Sequence, residues 1–286
     1  MLIYTFDRTL DGLLTAVFDS FALHQQPDEL LGIGAPLPLF CEEVHQVVTA
    51  EDKAKRVWTG LEKKLERDAL RVIMVSYLSE LSELDTPLFR YICKIFRTDN
   101  HQGGVGGGYN FTDEDVLFVR NICRRVMHEQ LRMKQFLRFQ KAKDGTYLGV
   151  VSPDHNVLPL VIDHFQDRFG DQPWLIYDAR RHYGYYYEAP SCLPHSGRQE
   201  GEVHSIPPHS GRQEGTVRIT FQDEAALPFD LSSGKLNDTV ISHDDKVFQE
   251  LWRTYFKAIC IRERINPRKQ LSDMPRRYWK YMTEKQ

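Results

Sequence analysis

The sequence predicts an α+β protein, a helical N-terminal part followed by an antiparallel sheet with packing helices. Three observations carry this. Apolar residues recur at helical spacing in most of the segments up to Lys134. Two hairpin signals then follow within 60 residues. Helical periodicity returns from Asp244. Runs of helices and runs of strands segregated along a chain are the pattern of an α+β fold.

The elements follow in order. Leu2 to Phe6 reads as a strand. Leu10, Leu13, Leu14, Val17, Phe18 and Phe21 mark a helix that Asp7 or Thr9 caps. Residues 24–38, with Pro27, Gly32, Gly34, Pro36 and Pro38, read as a loop. Val44 to Thr49 reads as a strand, and Thr49 with Asp52 as a capping box opening a helix through Leu65. Helices follow near 68–82 and 86–98. His101 to Asn110, HQGGVGGGYN, lacks the GKS/GKT and GxGxxG contexts of phosphate loops and reads as a connector. Thr112 caps the longest helix, which runs to Lys134. Phe136 to Gln140 and Thr146 to Val151 form a hairpin turned at Lys143-Asp144-Gly145. His155 to Phe169 reads as a helix capped by Asp154. Trp174 to Asp178 and Tyr183 to Tyr187 form a second hairpin, Val217 to Phe221 another strand, and Asp244 to Ile259 a helix. The organisation predicted is a helical region over 1–110 and an α+β region over 111–286. Within the latter, the repeat PHSGRQEG (Pro194 to Gly201 and Pro208 to Gly215) makes 190–215 a flexible insertion.

Composition bounds the function. A chain of 286 residues with 41% hydrophobic and 27% charged residues is that of a globular protein. No apolar run reaches the roughly 18 residues of a membrane span, and the N-terminus lacks the pattern of a secretory signal. Five scattered cysteines without a CxxC pair argue against a disulfide framework and a local metal site; the expectation is a cytoplasmic protein with no cofactor and no metal. Charge is uneven. Arg120 to Lys143 carries +7 and Arg262 to Lys280 +5, which leaves −15 for the rest of a chain whose net charge is −3. Two basic islands form one electropositive face if the fold joins them, although charge runs are usually solvated faces.

The candidate nucleic-acid contacts are Arg124, Arg125, Arg132, Lys134 and Arg138 in the first island and Arg276, Arg277, Tyr278 and Lys280 in the second. Arg180, Arg181, Tyr183 and Tyr185 join them from ARRHYGYYYE, where alternation sends Tyr183, Tyr185 and Tyr187 to one face. The plainer reading of that stretch is tyrosine as a strand former in a core or contact. The best acid–base candidates are His128, Glu129 and His164. His128-Glu129 is not a zinc-protease motif, because position 132 is Arg where a second His is needed; a polar helix face is the plainer reading.

Four segments also carry a resemblance: YTFDRTLDGLLTAVFDSF, VRNICRRVMHEQLRMKQFLRF, DHNVLPLVIDHFQDRFGDQPWLIYD and MPRRYWKYMTE. Together they resemble, over nearly the whole chain, a bacterial family of unknown function labelled "probable DNA metabolism protein". That family is similar to a domain fused to uracil-DNA-glycosylase-like proteins, and its stand-alone members lie beside a radical-SAM protein. The resemblance implies a DNA metabolism or repair accessory that binds DNA, with a radical-SAM or glycosylase-like partner; the absence of a long apolar run predicts no membrane partner. The alternatives are an enzyme acting on DNA or a nucleotide through His128, Glu129 or His164, and a pure protein-interaction subunit. The PHSGRQEG insertion departs from the pattern.

Overall fold

The computed structural model describes residues 1–97, 112–189, 216–220, 227–231, 233–258 and 266–285. The glycine connector, the PHSGRQEG repeat, Phe221, Ile259 and Arg262 lie outside the described residues. The chain is α+β and divides into two compact units, Met1–His128 and Glu129–Gln286.

The first unit is built on β1 (Leu2–Phe6), β2 (Glu29–Gly32) and β3 (Glu43–Gln46), in the order β2-β1-β3 with both pairings parallel. A central parallel strand is covered on both faces, which is why LIYTF is an almost continuous apolar run with Ile3, Tyr4 and Phe6 buried. β2 lies in the segment expected to be a loop; a four-residue strand between Pro27 and Gly34 has too few residues to show alternation. Helices α1 (Leu10–Ala22), α2 (Glu51–Lys64), α3 (Arg67–Tyr77) and α4 (Asp85–Arg97) follow the predicted periodicities. The Thr9 hydroxyl caps α1 by accepting from Gly12 N at 2.9 Å. The capping box at Thr49 does not form: α2 is preceded by Ala50, and the Thr49 hydroxyl instead donates to Asp7 Oδ2.

The long helix α5 (Glu114–Phe136) begins in the first unit and ends in the second. Its cap is Asp113 rather than Thr112: Asp113 Oδ1 accepts from Asp115 N at 2.9 Å and Val116 N at 3.3 Å.

The second unit holds a five-stranded sheet in the order β4-β5-β6-β7-β8. These are β4 (Phe139–Lys141), β5 (Tyr147–Val151), β6 (Trp174–Asp178), β7 (Tyr183–Tyr187) and β8 (Thr216–Thr220). Both predicted hairpins form, and Gly145, at φ +89°, takes the left-handed position of the first turn. β5 and β6 pair in parallel, so the sheet is mixed within its antiparallel frame. The predicted helix over 155–169 starts late. Leu158–Leu160 is a 3-10 turn, and α6 runs only from Ile162 to Arg168. Pro159 disfavours helical backbone at Leu158, and the N–H groups of Asp154 and His155 are bound elsewhere.

One sheet face packs on aromatic residues: Phe139 lies edge-on to Phe165 and Phe169, and Trp174 stacks on Tyr187 at 5.3 Å. The other covers a core of Leu148, Val150, Leu175, Tyr177, Phe229 and Tyr281. Helix α7 (His243–Ala258), helix α8 (Pro267–Asp273) and 3-10 turns at Arg276–Tyr281 and Thr283–Lys285 complete the unit. Tyr278, Tyr281 and Met282 are the buried anchors of this ending. Trp279 and Met274, large apolar residues that a sequence reading would bury, are half-buried, with Trp279 Nε1 donating to the Met274 carbonyl at 3.0 Å. Among the described residues, no helix is long and apolar enough to cross a membrane.

Candidate functional site

The second unit carries a polar hub at the carboxyl ends of the parallel pair β5 and β6, a position where α/β sheets commonly place ligands. At its centre is the loop Pro153-Asp154-His155-Asn156 that leaves β5. Glu129, on α5, is 1% exposed and grips this loop from one side. Its Oε1 accepts from Asp154 N at 3.0 Å, and its Oε2 from His155 N at 2.8 Å. Oε1 also accepts from the Tyr278 hydroxyl at 2.8 Å and from Arg277 Nη2 at 2.9 Å. Four donors on one buried carboxylate make it a structural charge. Burial pushes the Glu129 carboxyl up, but these donors outweigh it and hold the group below the ordinary glutamate value. Tyr278 moves the other way, up to about 12, through burial and the Glu129 charge.

Arginines hold the loop from the other side. Arg181 donates to the carbonyls of Pro153 at 3.1 Å and Asp154 at 2.9 Å. Arg181 is itself fixed by Asp178, the fully buried last residue of β6, whose Oδ2 it reaches at 2.9 Å. Asp178 Oδ1 takes the N–H groups of Arg180 and Arg181, and so shapes the turn between β6 and β7. Burial raises the Asp178 carboxyl despite Arg181. Arg180, exposed on that turn, meets Asp154 Oδ1 at 3.5 Å, while Arg277 Nη1 pairs with Oδ2 of the same carboxylate. Asp154 is thus an anion held between two exposed guanidiniums, and it caps no helix.

The ending meets the basic end of α5 within this unit. Arg132 donates to the Ser272 carbonyl at 3.3 Å, and the Phe136 and Tyr278 rings lie 5.6 Å apart. Arg138 pairs with the buried carboxylate of Glu284 at 2.7 Å and anchors the terminus. Arg276 lies exposed over the Trp279 ring at 5.9 Å, and Lys280 over Tyr281 at 4.5 Å. Arg132 and Lys134 are half-buried. Burial, helped by the charges of Lys134 and Arg168, lowers His164 below the ordinary imidazole value. His164 packs edge-on against Phe165.

Other candidates are placed differently. Tyr183 and Tyr185 are buried: the Tyr183 hydroxyl bonds Asn156, and Arg218 covers its ring at 4.4 Å. Neither ring offers a face to a base. Arg124 and His128 are exposed on α5, one turn apart, and Arg125 reaches Glu83 at 4.0 Å within the first unit. His128 precedes Glu129 by one residue, about 100° around the helix, so the carboxylate bonded to the 153–156 loop does not orient the imidazole. Asp154, Asp178 and Glu284 were not singled out as functional, and their partners lie too far along the chain for spacing to reveal them. Among the described residues, no three His, Cys, Asp or Glu side chains are placed to hold a metal ion.

The first unit has a smaller polar cluster. Arg8, with φ 56°, reaches Asp85 Oδ2 at 3.2 Å and the Glu80 carbonyl at 3.1 Å, while Tyr77 donates to the Arg8 carbonyl. Burial pushes the Asp85 carboxyl up to about 6 against the pull of Arg8.

A family model described as a domain of unknown function, DUF4130, matches residues 82–284, and the chain belongs to that family. No curated protein matches the chain.

Proposed function

We propose that this member of the DUF4130 family binds nucleic acid through the arginine-rich surface of its second unit and serves as an accessory protein of DNA metabolism. The partner it acts with is of the radical-SAM or uracil-DNA-glycosylase-like kind. The observation that carries the binding reading is the contact of the two basic islands: Glu129 with Arg277 and Tyr278, and Arg132 with Ser272. The DNA metabolism part rests on the family resemblance of the sequence.

The cations divide into two groups. Arg138 and Arg181 hold the fold through Glu284 and Asp178. Arg180, Arg276 and Lys280 are exposed and face phosphate, and Arg277 does both, holding buried Glu129 through Nη2 while its outer edge is exposed. Asp154 stands between Arg180 and Arg277 in the place a phosphate oxygen pair would take, because guanidinium forks accept either anion. Trp279 is half-buried beneath Arg276 and Lys285 and helps to position these cations.

Fluorescence anisotropy with short single- and double-stranded DNA at two salt concentrations tests the reading. Binding to at least one form, weakened steeply by salt, is the expected result. No binding to either at low salt ends it.

A further inference from the structure

The helix α7 is inverted. Asp245, Gln249 and Arg253, spaced i, i+4, i+8, form its half-buried stripe. Arg253 Nε donates to the Thr283 carbonyl at 3.2 Å, and Gln249 bonds Asp245 at 2.6 Å. Among the described side chains of α7, five large apolar ones lie on the open side: Val247 is 47% exposed, Phe248 73%, Leu251 61%, Trp252 42% and Tyr255 55%. A surface helix ordinarily turns its apolar stripe to the core and its polar stripe to water. Five such side chains, about half exposed, present roughly 500 Å² of apolar surface. A patch of that size marks an interaction site.

We propose that this face is a homodimer interface in which two copies of α7 pack antiparallel with Leu251 on the two-fold axis. The stripe is self-complementary about that residue. Val247 and Tyr255 stand four positions to either side, so the small Val247 of one copy meets the large Tyr255 of the other. Phe248 and Tyr255 lie on the same side of Leu251 around the helix, so Phe248 of one copy comes beside Tyr255 of the other along the seam. An isologous contact places every residue against its symmetry mate's counterpart and closes at two copies. The antiparallel arrangement also sets helix dipoles head to tail. Two copies bury roughly 1,000 Å² in total, where specific interfaces begin.

Sedimentation velocity of the full chain, wild type and Leu251→Glu, tests this. The wild type should sediment at twice the chain mass and Leu251→Glu at the single mass, with an unchanged circular dichroism spectrum. Leu251→Cys should cross-link to itself on oxidation, because residues on a dyad approach within disulfide reach, whereas Asp245→Cys on the inner stripe should not. Should Leu251→Glu misfold, the cysteine pair decides. A wild type that stays monomeric at its highest soluble concentration overturns the proposal and leaves the face to a different protein. A dimer that survives Leu251→Glu, or equal cross-linking at both cysteine positions, overturns it too.

Discussion

Glu129 carries a charge in the interior of the second unit, and its four donors come from residues 25, 26, 148 and 149 positions away. Removing one member of a buried, hydrogen-bonded ion network leaves the others unpaired, at a cost of about 3–5 kcal/mol. Glu129→Ala should therefore lower the urea midpoint strongly, and Glu129→Gln, which keeps some acceptor capacity, less so. The pH dependence has a definite sign. A carboxyl held below its ordinary value stabilises the fold fully above that value, 4.5 for glutamate, and the contribution is lost as pH falls through the lower folded-state pKa. Asp85 in the first unit acts oppositely. Its carboxyl is raised from 3.8 to about 6, so folding favours the protonated form and stability falls as pH rises between those values. The stability of Asp85→Asn relative to wild type should accordingly increase from pH 4 to pH 6 in paired urea titrations. Under the proposed function, the Asp154 carboxylate competes with phosphate for Arg180 and Arg277. Asp154→Asn removes the negative charge between Arg180 and Arg277 and should tighten DNA binding severalfold, a gain that isothermal titration would read directly.

Elements were legible in the sequence where local chemistry decides them. The hairpin of β6 and β7 was readable to its end residues, because alternation and a polar turn both lie within 14 residues. The parallel pairing of β5 with β6 was not, since no local pattern encodes which strands meet across an intervening helix. The cap of α5 differed by one residue, as Thr112 and Asp113 are both good caps and only geometry selects Asp113. The basic surface was visible as charge. The division of its arginines into anchors and exposed cations was not, because Asp178 and Glu284 claim Arg181 and Arg138 only in three dimensions. Gly234 shows a similar long-range constraint. It sits at φ +67°, and a Cβ there would lie 2.5 Å from the Tyr281 ring, which closes one face of the sheet. Gly234→Ala should cost about 1–3 kcal/mol, from strain and overpacking together, and differential scanning calorimetry should show a lower melting temperature.

At the scale of the molecule, an acidic chain gathers positive charge where its ending folds back on the basic end of α5. The resulting second unit, matched by its family over most of its length, carries a hydrogen-bonded polar hub with exposed guanidiniums at its edge. Nucleic-acid binding by these groups is the central claim. Its most direct test is the slope of log affinity against log salt for wild type and Arg276→Ala, since Arg276 lies exposed over the Trp279 ring and is not among the groups that hold Glu129 and the 153–156 loop. Loss of one phosphate contact should weaken binding uniformly across DNA sequences and make the slope shallower by about 0.9 for duplex DNA or about 0.7 for single strands. An unchanged affinity and an unchanged slope would contradict the claim.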